Sequence, residues 1–204
     1  MTSILTGDII NSRKSKDDLW LKALKETLTY FGESPKYWQI YRGDSFQLEI
    51  KDCQNAFLSA LKIKSIIKMI DGVDVRIGIG IGKKEFDTDK ITESNGEAFI
   101  NSGFAFDNYL KKQNLAIKSP WQEIDKELNI AFDLALLTMD NWTVNSAEVF
   151  KTSLENETAT QKEIAAILGI TQGRVSERQK RAGFEQVMKL DKHFRELIQL
   201  RKGL

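Results

Sequence analysis

No stretch of this chain narrows its fold more than Val73 to Gly82, VDVRIGIGIG. Val and Ile lose side-chain freedom in a helix but pack well on a pleated surface, so the run is too β-branched for anything but a strand. Glycines at alternate positions from Gly78 mark places where something must approach the backbone closely.

The preceding residues supply partners for that strand. Ile4 and Leu5, running into Thr6, Gly7, Asp8, Ile9 and Ile10, form a short buried strand that opens into a loop at Asn11, Ser12 and Arg13. Ser15 with Asp18 makes a capping box, and Trp20, Leu24, Leu28 and Phe31 follow at helical spacing until Gly32 and Pro35 stop the helix. Two strands, Tyr37 to Tyr41 and Phe46 to Ile50, flank Arg42, Gly43, Asp44 and Ser45, a sequence suited to a tight hairpin turn. Asp52 caps a long helix through Ala56, Phe57, Ala60, Leu61 and Ile67, ended by Asp71 and Gly72.

The order β-α-β-β-α-β is that of the split, ferredoxin-like arrangement, with the first strand central beside the hairpin and two helices on one face. Asp8 and the Gly43-Asp44 turn then become neighbours. Beyond this unit a helix is expected from about Gly96 to Leu110, a short strand near Ala116, and an apolar helix around Leu128 to Met139. A boundary between Asp140 and Val144 divides the chain into residues 1–141 and a small all-α unit, residues 142–204, whose first helix spans Asn145 to Leu154. The expected class is α+β.

The segment from Thr160 to Ala182 reads as a helix-turn-helix. Thr160 caps a helix with Glu163 completing a capping box, Gly169 provides a left-handed stop after Leu168, and Thr171 caps a second helix. Ile164, Leu168, Ile170 and Val175 form an inner face, and Ala165 is small where the helices cross. The second helix would present Thr171, Gln172, Gly173, Ser176, Glu177 and Lys180 outward, with Arg174, Arg178 and Arg181 at its flanks. Gln, Ser and Lys can read base edges, while Arg and Lys near phosphates supply most of the affinity. Arg178 stands where an apolar residue is usual; its stem can cover the core while its guanidinium reaches water or phosphate.

Charge follows the motif. From Thr160 to Leu204 there are ten Lys or Arg against five Asp or Glu, whereas the residues before it hold twenty against twenty-four. Double-stranded DNA is the partner this implies; a helical hairpin using its basic face for protein contacts is the alternative. The last helix, Phe184 to Leu200, carries an apolar stripe suited either to the core or to pairing two protomers, and its His193 reads as a surface or hydrogen-bonded histidine. The one cysteine, Cys53, excludes an internal disulfide and a Cys-based zinc site, and reads as a helix-start residue without nucleophilic function. No apolar run has the length of a membrane span and no signal-peptide pattern opens the chain, so a cytoplasmic location away from membranes is expected.

Two carboxylates at the ends of adjacent central strands, Asp8 and Asp44, suit a divalent metal holding a triphosphate, because Mg²⁺ takes one or two carboxylates plus phosphates and water. Spacing alone fits equally a loop cap at Asp8 and an ordinary turn residue at Asp44. The motifs TGDIINS, GDSFQ, VRIGIGIG and NGEAF, in that order, are similar to those of the SatD family, whose members resemble class III nucleotidyl cyclases. That resemblance covers roughly the first half of the chain. It implies that Asp8 and Asp44 hold Mg²⁺ or Mn²⁺, and that the backbone of Ile9, Ile10, Asn11 and Ser12 faces the phosphates. It also puts Arg13, Gly43 and Arg76 around the nucleotide.

The cyclases also carry an Asn and an Arg on the next helix, where Ile100 and Phe104 fall when the chains are aligned on Gly96. Ile40 takes the place of their base-selecting Lys. Asn101 is one position from a match, and Glu93 could supply a partner acid or serve as a turn residue. Without those donors the transferring phosphate loses electrostatic stabilisation worth several powers of ten in rate. The chain is therefore expected to be a DNA-binding regulator, working as a homodimer, with a metal-nucleotide sensor that does not turn over. The rival readings are an active metal-dependent nucleotidyl cyclase or transferase with a helix-turn-helix appendage, and a non-catalytic adaptor.

Overall fold

β1 (Thr2–Ile10) is buried along nearly its whole length, as a strand with neighbours on both sides must be. The structure is a computed structural model and describes residues 1–14 and 19–202; the expected Ser15-Asp18 capping box lies outside them. A hairpin of β2 (Trp38–Tyr41) and β3 (Ser45–Ile50) lies on one side of β1, and β4 (Asp74–Gly82) on the other. β5 (Leu115–Lys118) completes the order β2-β3-β1-β4-β5. All pairs are antiparallel except β4 with β5, which run parallel.

The sheet has two unlike faces. Leu5 and Ile9 of β1, with Phe46, Leu48, Val75, Ile77, Ile79 and Ile117, enter the main core. There they meet α1 (Leu19–Thr29), α2 (Ala56–Ile67) and α4 (Gln122–Met139). The opposite face carries small residues and is covered by α3 (Glu97–Phe104), which continues as a π-helical turn, Ala105–Tyr109. Thr6 Oγ1 donates to Ser102 Oγ at 3.0 Å across that interface.

The glycines of β4 belong to this close packing. A Cβ on Gly80 would stand 2.1 Å from the Ser102 nitrogen and 2.2 Å from the Ala98 oxygen. What approaches the backbone at Gly80 is therefore α3.

α4 gives way to α5 (Val144–Glu155) at Asn141 to Thr143, where Thr143 caps α5 by accepting from the Ser146 amide. α6 (Gln161–Leu168) and α7 (Gln172–Ala182) follow, joined by Gly169, Ile170 and Thr171. The Thr160 and Glu163 side chains form a capping box, Gly169 is left-handed at φ 63°, and Thr171 accepts from the Arg174 amide. Ile164, Ala165 and Val175 close on Val149 of α5, with Leu168 and Ile170 packed against them.

α8 (Phe184–Lys202) resolves the alternative left by its apolar stripe. Val187, Phe194 and Ile198 are buried in the main core, and Phe194 joins Phe57 of α2 and Phe132 of α4 with ring centroids 4.8 to 6.5 Å apart. The apolar core thus continues from Leu5 to Ile198 across the α4–α5 turn. His193 rests on Glu127 of α4, Nε2 to Oε1 2.6 Å. Cys53 is fully buried in a 3-10 turn before α2, and burial pushes its thiol pKa up, so it stays an inert thiol.

Candidate ligand pocket and basic helix

At the C-terminal end of β1 the ladder register sets three residues together. Asp8 lies opposite Ser45 on β3 and opposite Arg76 on β4, and the Ile9 amide donates to the Asp44 carbonyl at 3.1 Å. Cross-strand partners share a face, so the Asp8 and Arg76 side chains meet directly. Arg76 Nε donates to Asp8 Oδ1 at 2.9 Å and Nη2 to Oδ2 at 2.5 Å, a two-toothed fork. Nη1 reaches the Leu110 carbonyl at 3.4 Å, and the guanidinium stands 5.8 Å from the centre of the Phe106 ring. The hydrogen bond to Asp8 raises the Arg76 pKa against the opposing effect of burial. Ser12, in the loop after β1, donates to Asp44 Oδ2 at 2.7 Å and so ties that loop to the hairpin.

Asp8, Ser12, Asp44, Arg76 and Leu110 line an open pocket of about 680 Å³. Of the positions expected around a nucleotide, Asp8, Ile9, Ile10, Asn11, Ser12, Arg13, Asp44 and Arg76 all line it, and Gly43 does not. Gly43 sits beside the pocket in the hairpin turn, at φ 92°. Sequence reasoning missed the segment after α3, where Lys111, Lys112, Gln113 and Asn114 form the opposite wall. The adjacent Lys-Lys pair was a visible signal, but only the parallel docking of β5 on β4 brings it to this place.

Several residues weighed against the cyclase pattern lie elsewhere. Ile100 and Phe104 are solvent-facing on α3, and Asn101 donates to the Ile81 carbonyl at 2.8 Å as a structural tie to β4. Ile40 packs against the main core, and Glu93 pairs with Lys90 at 2.9 Å in a separate 3-10 turn.

The donor set was expected to hold a divalent cation, and its chemistry does not fit one as arranged. Both Asp8 oxygens accept from Arg76, and one Asp44 oxygen accepts from Ser12. Among the described residues no three acidic, His or Cys side chains gather into a set that could hold a metal.

The pocket wall is linked to the start of the C-terminal helices. Asn114 Nδ2 donates to Asp140 Oδ2 at 2.9 Å, and Lys64, almost wholly buried, bridges Asp140 Oδ1 (2.7 Å) and Asp74 Oδ1 (2.8 Å). Two residues on, Trp142 Nε1 donates to the Ala182 carbonyl at the end of α7 at 2.9 Å.

α7 presents Thr171, Gln172, Gly173, Arg174, Ser176, Glu177, Lys180 and Arg181 to solvent while Val175 is fully buried beneath them. Arg178 departs from expectation. It turns towards α5, its Nη1 3.2 Å from Glu148 Oε2, and so faces a carboxylate within the protein in place of water or phosphate. Arg181 pairs with Glu177 at 2.6 Å, whereas Arg174 and Lys180 have no ion pair among the described residues.

The fold and sites define a mixed α+β protein: a five-stranded sheet with a polar pocket at its strand ends, backed by helices that expose one cationic helix. The SatD family model matches residues 3–198, nearly the whole chain, and the protein belongs to the SatD family. No curated protein and no solved structure matches it. Among the described residues no helix is long and apolar enough to cross a membrane.

Proposed function

We propose that this protein is a cytoplasmic, homodimeric DNA-binding transcriptional regulator. In this reading residues 142–204 form a helix-turn-helix unit, and residues 1–141 a ferredoxin-like, cyclase-like unit whose degenerate site binds a nucleotide without turning it over. The observation that carries the reading is the surface of α7. Its N-terminal turn and two cations without an ion pair among the described residues, Arg174 and Lys180, face solvent, while capping at both ends and Val175 hold it against α5 and α6. Such a helix can enter the major groove with Gln172 and Ser176 towards base edges and the cations towards phosphates.

The strand order β2-β3-β1-β4 supports the ferredoxin-like reading of the first unit. Solvent-facing apolar residues at Ile100 and Phe104 favour binding over cyclisation, since neither side chain can stabilise a transferring phosphate. The contacts from Asn114 through Asp140 and Trp142 to Ala182 give a ligand in the pocket a physical route to the end of α7.

The test is binding of the full chain to duplex DNA, followed by fluorescence anisotropy over a range of salt. Affinity should fall steeply with salt, and Arg174→Ala with Lys180→Ala should weaken it at least tenfold. The double substitution should also flatten the logarithmic salt slope by about 2, one for each phosphate no longer neutralised. Unchanged affinity in the double variant would sink the proposal.

A further inference from the structure

We infer that Arg76 takes the part a divalent cation plays in a metal-nucleotide site, so that the pocket binds the phosphates of a nucleoside di- or triphosphate directly, without metal. The inference rests on the nucleotide reading of this pocket and specifies how the anion is held. A metal at Asp8 would have to share the carboxylate with a guanidinium that already bonds both oxygens, setting two cations against one partly buried group. Forks of this kind are among the stronger polar contacts in proteins.

The charge on the pocket wall already suits an anion. Arg13, Arg76, Lys111 and Lys112 oppose Asp8 and Asp44, a net of two positive charges, whereas Mg²⁺ is usually held by carboxylates together with the phosphates it neutralises. Arg76 also has capacity left. Of the five N–H groups of a guanidinium, two donate to Asp8 and one to Leu110, so two remain for a ligand oxygen. Asp8 then acts as a positioning residue that aims Arg76, and Asp44, held by Ser12, fixes the loop that carries Arg13. A volume of about 680 Å³ accommodates a nucleotide.

The experiment is calorimetric titration of the full chain with tripolyphosphate, ATP and GTP, once in EDTA and once in excess Mg²⁺, beside Mn²⁺ binding read by electron paramagnetic resonance. Expected are binding in EDTA at least as tight as in Mg²⁺ and no Mn²⁺ bound by the protein alone. Tripolyphosphate binding as tightly as ATP would place recognition in the phosphates; a clear preference for one nucleotide would add a base contact to the same anion site. Arg76→Met should weaken binding in EDTA at least tenfold, and Arg76→Lys should not restore it because an ammonium cannot form the fork. Lys111→Ala with Lys112→Ala, both solvent-exposed, repeats the test without touching the strand pairing and should also weaken binding. Binding that requires Mg²⁺, or Mn²⁺ held by the free protein and lost in Asp44→Asn, would overturn the metal-free site while keeping a nucleotide pocket. No binding in either buffer would overturn both.

Discussion

Gly80 and Asp87 show how differently single positions matter here. Any side chain at Gly80 meets the backbone of α3, which cannot yield as the end of a flexible side chain can. Gly80→Ala should therefore cost about 3 kcal/mol or more, at the upper end of overpacking penalties. Denaturant melting checks this, and a loss below about 1 kcal/mol would mean that α3 sits further from β4. Asp87 lies in solvent between Lys36 and Lys84, whose hydrogen bonds lower its pKa from 3.8 to about 2. A lowered carboxylate pKa stabilises the folded state above the unfolded value, and the contribution is lost as pH falls through about 2. Exposure and salt keep that contribution small. A carboxyl titration by NMR should place the Asp87 midpoint near 2, and a midpoint at the ordinary value would show that the lysines do not hold it. Arg178 makes the same point about local reading: its position beside the inner face was legible, but its partner Glu148 is thirty residues away on another helix.

Among the elements, β5 is an edge strand whose outer side α4 closes with one side chain. Asn129 accepts from the Ile117 amide and donates to the Ile117 carbonyl, both at 2.9 Å, as a neighbouring strand would. Replacing it by Leu leaves two backbone groups unpaired at a sheet edge. Asn129→Leu should cost about 2 kcal/mol or more, at about 1–3 kcal/mol for each buried group left unsatisfied. Hydrogen exchange should accelerate at Ile117 first; protection equal to the parent chain would show that the edge does not depend on α4. The helices themselves were largely legible, because caps and glycine stops act within a few residues. Thr160, Glu163, Gly169 and Thr171 all take the roles their spacing implies. α3 was less so, since nothing local marks its passage into a π-helical turn at Ala105.

For the whole molecule, the question is which surface pairs two copies in the proposed homodimer. α8 turns its stripe into the core, so it is not free for that role. Ile130, Leu134 and Leu137 of α4 recur at helical spacing and are each about two-thirds exposed. If the dimer forms there, Leu134→Glu with Leu137→Glu should give monomers in sedimentation velocity while keeping the fold. A dimer that survives places the interface elsewhere, and a parent chain that sediments as a monomer removes dimerisation from the proposal. The strands, the hairpin turn and the capped pair α6–α7 follow from local chemistry, because alternation, capping and left-handed glycines act between near neighbours and leave their mark in the residue order. The Asp8–Arg76 fork, the Lys111-Lys112 wall, the Glu148 partner of Arg178 and the docking of α8 against α2 and α4 do not. Each joins residues brought together by sheet register or helix packing, and side chains distant in the chain acquire partners only when the core closes around them.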